Sequence, residues 1–358
     1  MRATVDRKVL LELLAKADLA RAKRATLPIC EGLLLEARKG TLSVTGYDLE
    51  TRVIATGEAE VQRKGAVVAP AELISFLKGA KGDTVCLQAR KKTLKAKVDS
   101  LTATFEGFER EDYPPTLPAK GKQIKVMGLA EALSEVVFCA AKEDNRPVLC
   151  GVNFRPADWG AKLATADGFR LAVTPLAMQG KLAEEFILPR KSAEVAARLF
   201  KGDAWLRIVP RNSTRDIFIE ADGVTLRAGA ISGSYLNIDQ LIPKDGKAIK
   251  FDPTRLLEAV KAVEPMAKKG SGIVRLQVRQ GKIKVSAKAD DVGSMEAEVP
   301  TSTKRAAKIA FNLQYLKEAL AKLGPDATMR VTQPSSPAVL RNKSSKTIQV
   351  IMPMFVQW

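Results

Sequence analysis

The side chains that most often carry chemistry are scarce in this chain of 358 residues. Histidine is absent, which removes Ser–His–Asp and Cys–His arrangements and the usual general base near neutral pH. The four cysteines, Cys30, Cys86, Cys139 and Cys150, form no CxxC pair. A zinc site would need all four scattered thiols to converge, so they read instead as small buried apolar residues in a reducing compartment. Asp290–Asp291 and Asp144 can be imagined as ligands for metal-assisted phosphoryl chemistry. The pair falls in an expected turn, "AKADDVGS", and nothing else clusters with it. No enzyme activity, metal or cofactor is expected.

What remains is charge. The formal net charge is +18, of which residues 246–358 carry +11. Such an excess favours polyanions. No helix-turn-helix, zinc finger, basic zipper or RNA-recognition signature is present, and aromatic residues are only 5%, too few for a stacking platform on single strands. Basic charge without a base-reading module points to sequence-independent contact with phosphates. No apolar run approaches the roughly 18–20 residues that span a bilayer. The N-terminal "MRATVDRKVLLELLAKADLA" alternates charged with apolar residues and lacks a signal-peptide core. A cytoplasmic protein without a membrane partner is expected.

The elements that would position these side chains repeat. "VVAPAELISFLKGAKGDTVCLQ", "FILPRKSAEVAARLFKGDAWLRIV" and "IAFNLQYLKEALAKLGPDATMRV" each read as strand, helix start (Pro70, Pro189, Asn312), amphipathic helix, stop (Gly79, Gly202, Gly324–Pro325) and strand. The starts are 119 and 123 residues apart. A second amphipathic helix repeats at that period, beginning near Thr4, Val126 and Phe251. Its apolar stripes are Val9, Leu10, Leu13 and Leu14, then Leu133, Val136 and Val137, then Leu256, Leu257, Val260 and Val263. Alternating strands follow, turning at Lys39–Gly40, Trp159–Gly160 and Gln280–Gly281. The connectors "DYPPTLPAKGKQIKV" and "SYLNIDQLIPKDGKAIKF" mark boundaries near 118 and 245.

The expectation is an α+β fold of three repeated domains, 1–118, 119–245 and 246–358, each with two helices packed on antiparallel sheet. Sheets that continue edge to edge through such repeats leave open strands at the two ends. Pairing an end with the opposite end of a second copy closes a ring if the rotation fits.

"TLPICEGLLLEARKGTLSVTGYDLETRV", "DNRPVLCGVNF", "LATADGFRLAV", "FILPRKS", "IAFNLQYLKEAL" and the ending "VIMPM" resemble the bacterial DNA polymerase III β subunit family, the sliding clamps, in order from Thr26 to Met354. The resemblance implies a clamp fold in which one chain forms half of a ring. It implies a head-to-tail homodimer around double-stranded DNA. It also implies a non-catalytic processivity factor for replication, working in the cytoplasm at the nucleoid. Its partners would be DNA polymerase subunits, the clamp loader and repair proteins, held through short linear motifs.

The resemblance further implies a peptide cleft of Arg146, Leu149, Gly168, Arg170 and Leu171, with Leu236, Gln240 and Leu241 from the connector. Asn312, Tyr315, Ser336, Val350, Met352, Pro353 and Met354 complete it. The leucines, valine and methionines would form an adaptable apolar pocket, and Arg170, Asn312 and Tyr315 would hold a peptide's polar groups. For DNA, Arg24, Arg190 and Lys191 match basic positions of the family. Lys142, Lys268 and Lys269, at the expected ends of the first-type helices, are added on charge alone. The sequence departs from the family at Phe169, where His is frequent, and at "SYLNIDQLIP", which alters the rim at Leu236 and Gln240. The alternative is a clamp-like basic scaffold that binds DNA electrostatically without encircling it.

Overall fold

The structure, a computed structural model, describes residues 1–119, 121–143, 145–211, 214–303 and 305–358; Asp144 lies outside them. Seven α-helices are found among these residues: α1 (Arg7–Asp18), α2 (Glu72–Gly79), α3 (Leu129–Val136), α4 (Arg190–Leu199), α5 (Ile238–Leu241), α6 (Pro253–Lys269) and α7 (Leu313–Leu320). None of them is long and apolar enough to cross a membrane. The helices α1, α3 and α6 occupy the first repeated position and α2, α4 and α7 the second. The short α5 falls in a connector where no helix was expected.

Helix starts follow side-chain caps more closely than prolines. Asp6 Oδ1 accepts from the N–H groups of Lys8 and Val9 at 2.8 and 3.0 Å. Asp252 does the same for Thr254 and Arg255 at 2.9 and 3.2 Å, and Asn312 for Gln314 and Tyr315 at 2.9 and 3.2 Å. Two expected starts are corrected: Thr4 and Val126 lie in strands Arg2–Asp6 and Gln123–Met127, which their β-branched neighbours favour. Pro189 ends strand Phe186–Pro189, where a residue with no N–H to donate closes the ladder. The helix α3 stops early and passes into a 3-10 turn, Val137–Cys139. Consecutive valines are poor helix formers, and Thr165 Oγ1 donates to the Val136 carbonyl at 2.6 Å. Lys142 therefore sits in a loop beyond the helix, not at its end.

The chain divides into two compact units, one of Met1–Ala130, Met178–Gly180 and Lys191–Ser232, the other of Glu131–Ala177, Lys181–Arg190 and Gly233–Trp358. In the first unit one antiparallel sheet runs Glu60–Arg63, Arg2–Asp6, Thr84–Arg90, Thr93–Val98, Leu101–Glu106. A second run of strands includes Ala204–Arg211, Thr214–Ala221, Val224–Gly229, Thr51–Glu58, Thr41–Tyr47 and Leu33–Arg38 in that order. Here Val224–Gly229 pairs antiparallel with Thr51–Glu58, Val224 opposite Ala55 and Ala228 opposite Thr51, so the first two expected repeats share a sheet. The helix α1 buries Leu10, Leu13, Leu14 and Ala17 against it, while Val9, expected in the stripe, is exposed. Gly46 is required beneath α1, because a Cβ there would stand 2.0 Å from the Ala17 carbonyl oxygen.

In the second unit the first residues of strand Arg170–Gln179 pair with Ile348–Ile351, Arg170 opposite Ile351 and Val173 opposite Ile348. The second and third expected repeats are thereby joined as well. A separate sheet runs Gly293–Pro300, Lys282–Ala289, Ile273–Arg279, Ala307–Asn312. The helices α6 and α7 close it, with Leu256, Val260, Val263, Leu316 and Leu320 packed with Val285 and Phe311 in one core. The turns at Lys39–Gly40 and Gln280–Gly281 have φ of 44° and 80°, and 51° and 80°, as two-residue type I′ hairpins require. The third expected turn shifts by one: Asp158–Trp159 form the loop and Gly160 pairs with Ala157.

Glu264 on α6 holds α7 in place. It accepts from Lys317 Nζ at 2.6 Å and pairs with Lys268 Nζ at 2.7 Å, and these two ammonium groups hold its carboxyl down to about 2. A depressed acid contributes stability above its ordinary pKa of 4.5, and that contribution is lost as pH falls towards the folded value. The substitution Glu264→Gln should lower the stability of this unit at pH 7 by on the order of 1 kcal/mol or less. In chemical denaturation across a pH series, the gap to the unsubstituted protein should close between about pH 4.5 and 2.

Candidate functional site

The residues expected to gather at one site all lie in the second unit, and a two-residue hairpin organises them. Strands Gly160–Ala166 and Arg170–Gln179 run antiparallel and turn through Gly168 and Phe169. Gly168 has φ +92°, as the first central residue of a II′ turn needs. Asp167 Oδ1 accepts from the Phe169 and Arg170 N–H groups at 2.9 and 3.0 Å. A Cβ on Gly168 would make only ordinary contact, 4.0 Å from Arg146 Nη1, so it is the backbone conformation and not space that calls for glycine here.

Arg170 is 7% exposed and has a partner on each nitrogen. Its Nε donates to Asp167 Oδ2 at 2.9 Å, Nη1 to Glu318 Oε2 on α7 at 2.5 Å, and Nη2 to the Phe138 carbonyl at 2.9 Å. Its guanidinium carbon lies 4.4 Å from the Tyr315 ring centroid, and Phe169 stacks on the same tyrosine at 6.3 Å. Burial alone would raise the Glu318 carboxyl, but hydrogen bonds from Gln314 and Arg170 and the arginine charge lower it. Burial raises the Tyr315 hydroxyl, which stays protonated. Arg170, expected to hold a peptide's polar groups, fastens the hairpin to α7.

The apolar residues divide by burial. Leu149, Leu171 and Val350 are buried in one cluster with Ala164, Ala166, Val173, Ile238 and Val339. Leu236 (37%), Leu241 (47%), Met352 (44%) and Met354 (37%) are exposed, while Pro353 is buried. The chain beyond Ile351 is tied down by Met352 N–H to the Phe169 carbonyl and Met354 N–H to the Ala310 carbonyl, both 2.8 Å. Gln240 is exposed on α5, which is held by Asp239 pairing with Lys162 at 3.3 Å and Arg155 at 3.6 Å. Asn312 spends its carbonyl oxygen on the α7 cap. Ser336, half-buried, closes a turn onto Gln333. Sequence reasoning passed over Asp167, Phe138, Glu318 and Ile238 as parts of the site, and Tyr235, which packs partly buried against the Leu149 cluster; only the Asp167–Arg170 spacing of three was a readable signal.

The basic residues differ in exposure and in pairing. Arg24, Lys142 and Lys269 are exposed. Arg190 is half-buried and donates to the Ala140 carbonyl at 2.7 Å. Lys191 pairs with Asp48, whose side chain is buried, and Lys268 is engaged by Glu264. Asp290 pairs with Lys288 at 2.9 Å on an exposed turn, and no cluster of three metal-ligating side chains occurs among the described residues. Cys30 and Cys139 are buried as expected, and burial pushes both thiols up. Cys86 and Cys150 are only partly buried, a departure from the expectation.

Three family descriptions match consecutive parts of the chain: the N-terminal domain of the DNA polymerase III beta subunit over residues 1–118, its central domain over 123–237 and its C-terminal domain over 239–355. The chain belongs to the DNA polymerase III beta subunit family. Curated sliding clamps are similar along the whole length. That of Synechococcus elongatus is 26% identical over 345 residues, covering 91% of this chain and 92% of its own. That of Streptomyces coelicolor is 26% identical over 367 residues, covering 96% and 94%. The crystal structure of the C. crescentus beta sliding clamp, which carries polyethylene glycol at a proposed beta-motif tethering region, shares the fold. Its TM-score is 0.89, with 24% identity and 99% of both chains covered.

The function of this family member is therefore that of a DNA sliding clamp, a processivity factor without catalysis of its own. Three clamp domains of helices on antiparallel sheet, the expected fold class, are what the chain contains. Removing the guanidinium that joins hairpin to α7 tests the clamp's construction. The substitution Arg170→Met leaves the Asp167 and Glu318 carboxylates, 14% and 27% accessible, without their counter-ion. It should cost about 3 kcal/mol or more in denaturant unfolding.

Proposed function

We propose that two copies of this chain pair head to tail into a closed ring around double-stranded DNA. The observation that carries this reading is a pair of open edge strands, one in each unit. Leu101–Glu106 ends one sheet and Gly293–Pro300 ends another, each paired on one side only among the described residues. Both carry exposed apolar side chains, Leu101 (50%) on the first and Met295 (40%) on the second. The opposite edge of each of these two sheets is blunted. Glu60–Arg63 is four residues long with charges at both ends, and Ala307–Asn312 is covered where Met354 N–H bonds Ala310. A long unpaired apolar edge is a template for another chain, and joining unlike ends gives a heterologous contact that closes.

On this reading the three domains, 1–118, 119–245 and 246–358, supply six similar segments to one ring. The exposed Leu236, Leu241, Met352 and Met354 and the buried Leu149, Leu171 and Val350, with Arg146, Gly168, Gln240, Asn312, Tyr315, Ser336 and Pro353, take short linear motifs of polymerase subunits, clamp loader and repair proteins. The tethering region of the C. crescentus clamp supports the assignment by likeness of fold. Arg24, Lys142, Arg190, Lys191, Lys268 and Lys269 contact DNA phosphates, and the protein works in the cytoplasm at the nucleoid.

Light scattering over a dilution series should give a mass near twice 38.8 kDa. The double substitution Leu101→Glu, Met295→Glu should yield folded monomers and abolish topological retention on closed circular DNA. A monomer at every concentration of the unsubstituted chain, with equal retention on linear and circular DNA, would favour the open electrostatic scaffold instead. Met352→Ala with Met354→Ala should weaken a partner-motif peptide about tenfold or more in a fluorescence titration, with the ring's mass unchanged.

A further inference from the structure

The first unit contains a cavity lined by none of the residues assigned above to DNA or to partner motifs. It measures about 410 Å³, within the roughly 300–1,000 Å³ typical of small-molecule sites. The connector Pro114–Leu117 forms one wall and strands Thr51–Glu58, Thr214–Ala221 and Val224–Gly229 the floor. Tyr47, Phe218 and Leu117 give it apolar faces, and Arg52, Arg211 and Arg227 give it charge.

The charge is unbalanced. Arg52 is 4% exposed. Its Nη1 donates to the Pro115 carbonyl at 2.6 Å and Thr116 Oγ1 at 3.0 Å, and its Nη2 to the Pro114 carbonyl at 3.1 Å. Its guanidinium carbon lies 4.0 Å from the Tyr47 ring centroid. No carboxylate pairs with it among the described residues. Burial lowers its pKa, and the like charge of Arg227 lowers it further. The carboxylates nearby are already engaged, and none of them by Arg52. Asp216 is shared between Arg227 and Arg211, the latter at 3.6 Å. Glu220, in the cavity wall, is held by Arg207 at 2.8 Å and Gln123 at 3.3 Å. The Nε atoms of both Arg52 and Arg227 are buried with no hydrogen-bond partner. A buried cation without a counter-ion is costly, and an orphaned N–H donor adds to that cost. An anion with an apolar body in the cavity would supply the counter-charge that Arg52 lacks.

We propose that this cavity binds a small amphipathic carboxylate, its charge against Arg52, Arg211 and Arg227 and its apolar or aromatic body against Tyr47, Phe218 and Leu117. The carboxylate replaces the missing counter-ion, and charge-assisted bonds to guanidinium are the strong class of hydrogen bond. The ligand can be a free acid or the end of a peptide chain, since both present this chemistry.

The test uses the full-length protein and isothermal titration with 4-phenylbutanoate, its neutral isostere 4-phenylbutanamide, and N-acetylglycyl-phenylalanine. Saturable binding of an acid, with the amide at least about tenfold weaker, is expected. Tighter binding of the peptide than of the free acid would assign the site to a chain end, and the reverse to a free acid. Arg211, half-exposed, is replaced in Arg211→Met, and the lip of the cavity is altered in Leu117→Asp. Each should weaken acid binding about tenfold while the thermal midpoint of the apo protein stays within a few degrees. No saturable binding of either acid, equal binding of acid and amide, or binding indifferent to both substitutions would overturn the proposal.

Discussion

Backbone hydrogen bonding at strand edges is the constraint on which this molecule depends. Each strand presents a row of N–H and C=O groups that must be paired or left to water. Val224–Gly229 meets that demand by adding to Thr51–Glu58, and the start of Arg170–Gln179 by adding to Ile348–Ile351. The repeats are thus joined by main-chain ladders, which depend little on side-chain identity. That is why relatives at 24–26% identity keep the same fold over nearly the whole chain. It also explains why the contacts divide into two units where the sequence repeats three times. Residues of the middle repeat are drawn into each unit by the strand they pair with.

Side chains then decide what the ladders leave open. Arg170 replaces bulk water around two carboxylates, one carbonyl and a tyrosine face with a single guanidinium. A buried arginine suits this work because its planar fork reaches several acceptors at once and it keeps its charge. With Arg170 spent on this scaffold, the neighbouring surface is left to exposed leucines and methionines, which adapt to varied apolar side chains. Arg52 follows the same pattern against three acceptors on the connector, but without a carboxylate.

The net charge of +18 is distributed differently from what a count suggests. Many of the lysines and arginines are matched in local pairs, such as Lys282 with Glu298 at 2.6 Å and Lys284 with Glu296 at 2.8 Å. Pairs this exposed contribute little to stability, yet they neutralise surface that would otherwise hold polyanions. The excess is carried by residues such as Arg24, Lys142 and Lys269, which are exposed.

The sequence by itself determined the repeat, the helix pairs and two of the three Gly-containing turns, because these rest on local rules: 3.6-residue and two-residue periodicity, caps such as Asn312, and glycines such as Gly281 that take positive φ without strain. Motif order from Thr26 to Met354 carried the family as well; of the residues expected to form the apolar pocket, Leu149, Leu171 and Val350 share one buried cluster, which does not include Leu241, Met352 or Met354. Tertiary structure alone decided the rest. The partnership of Arg170 with Glu318 spans 148 residues, and no local pattern marks Glu318 among the other acids. The early stop of α3 depends on Thr165 reaching back 29 residues to the Val136 carbonyl. The engagement of Lys191 by Asp48 turns a basic motif into a local ion pair. Each of these depends on which distant group the fold brings within about 3 Å, a distance that composition and spacing do not encode.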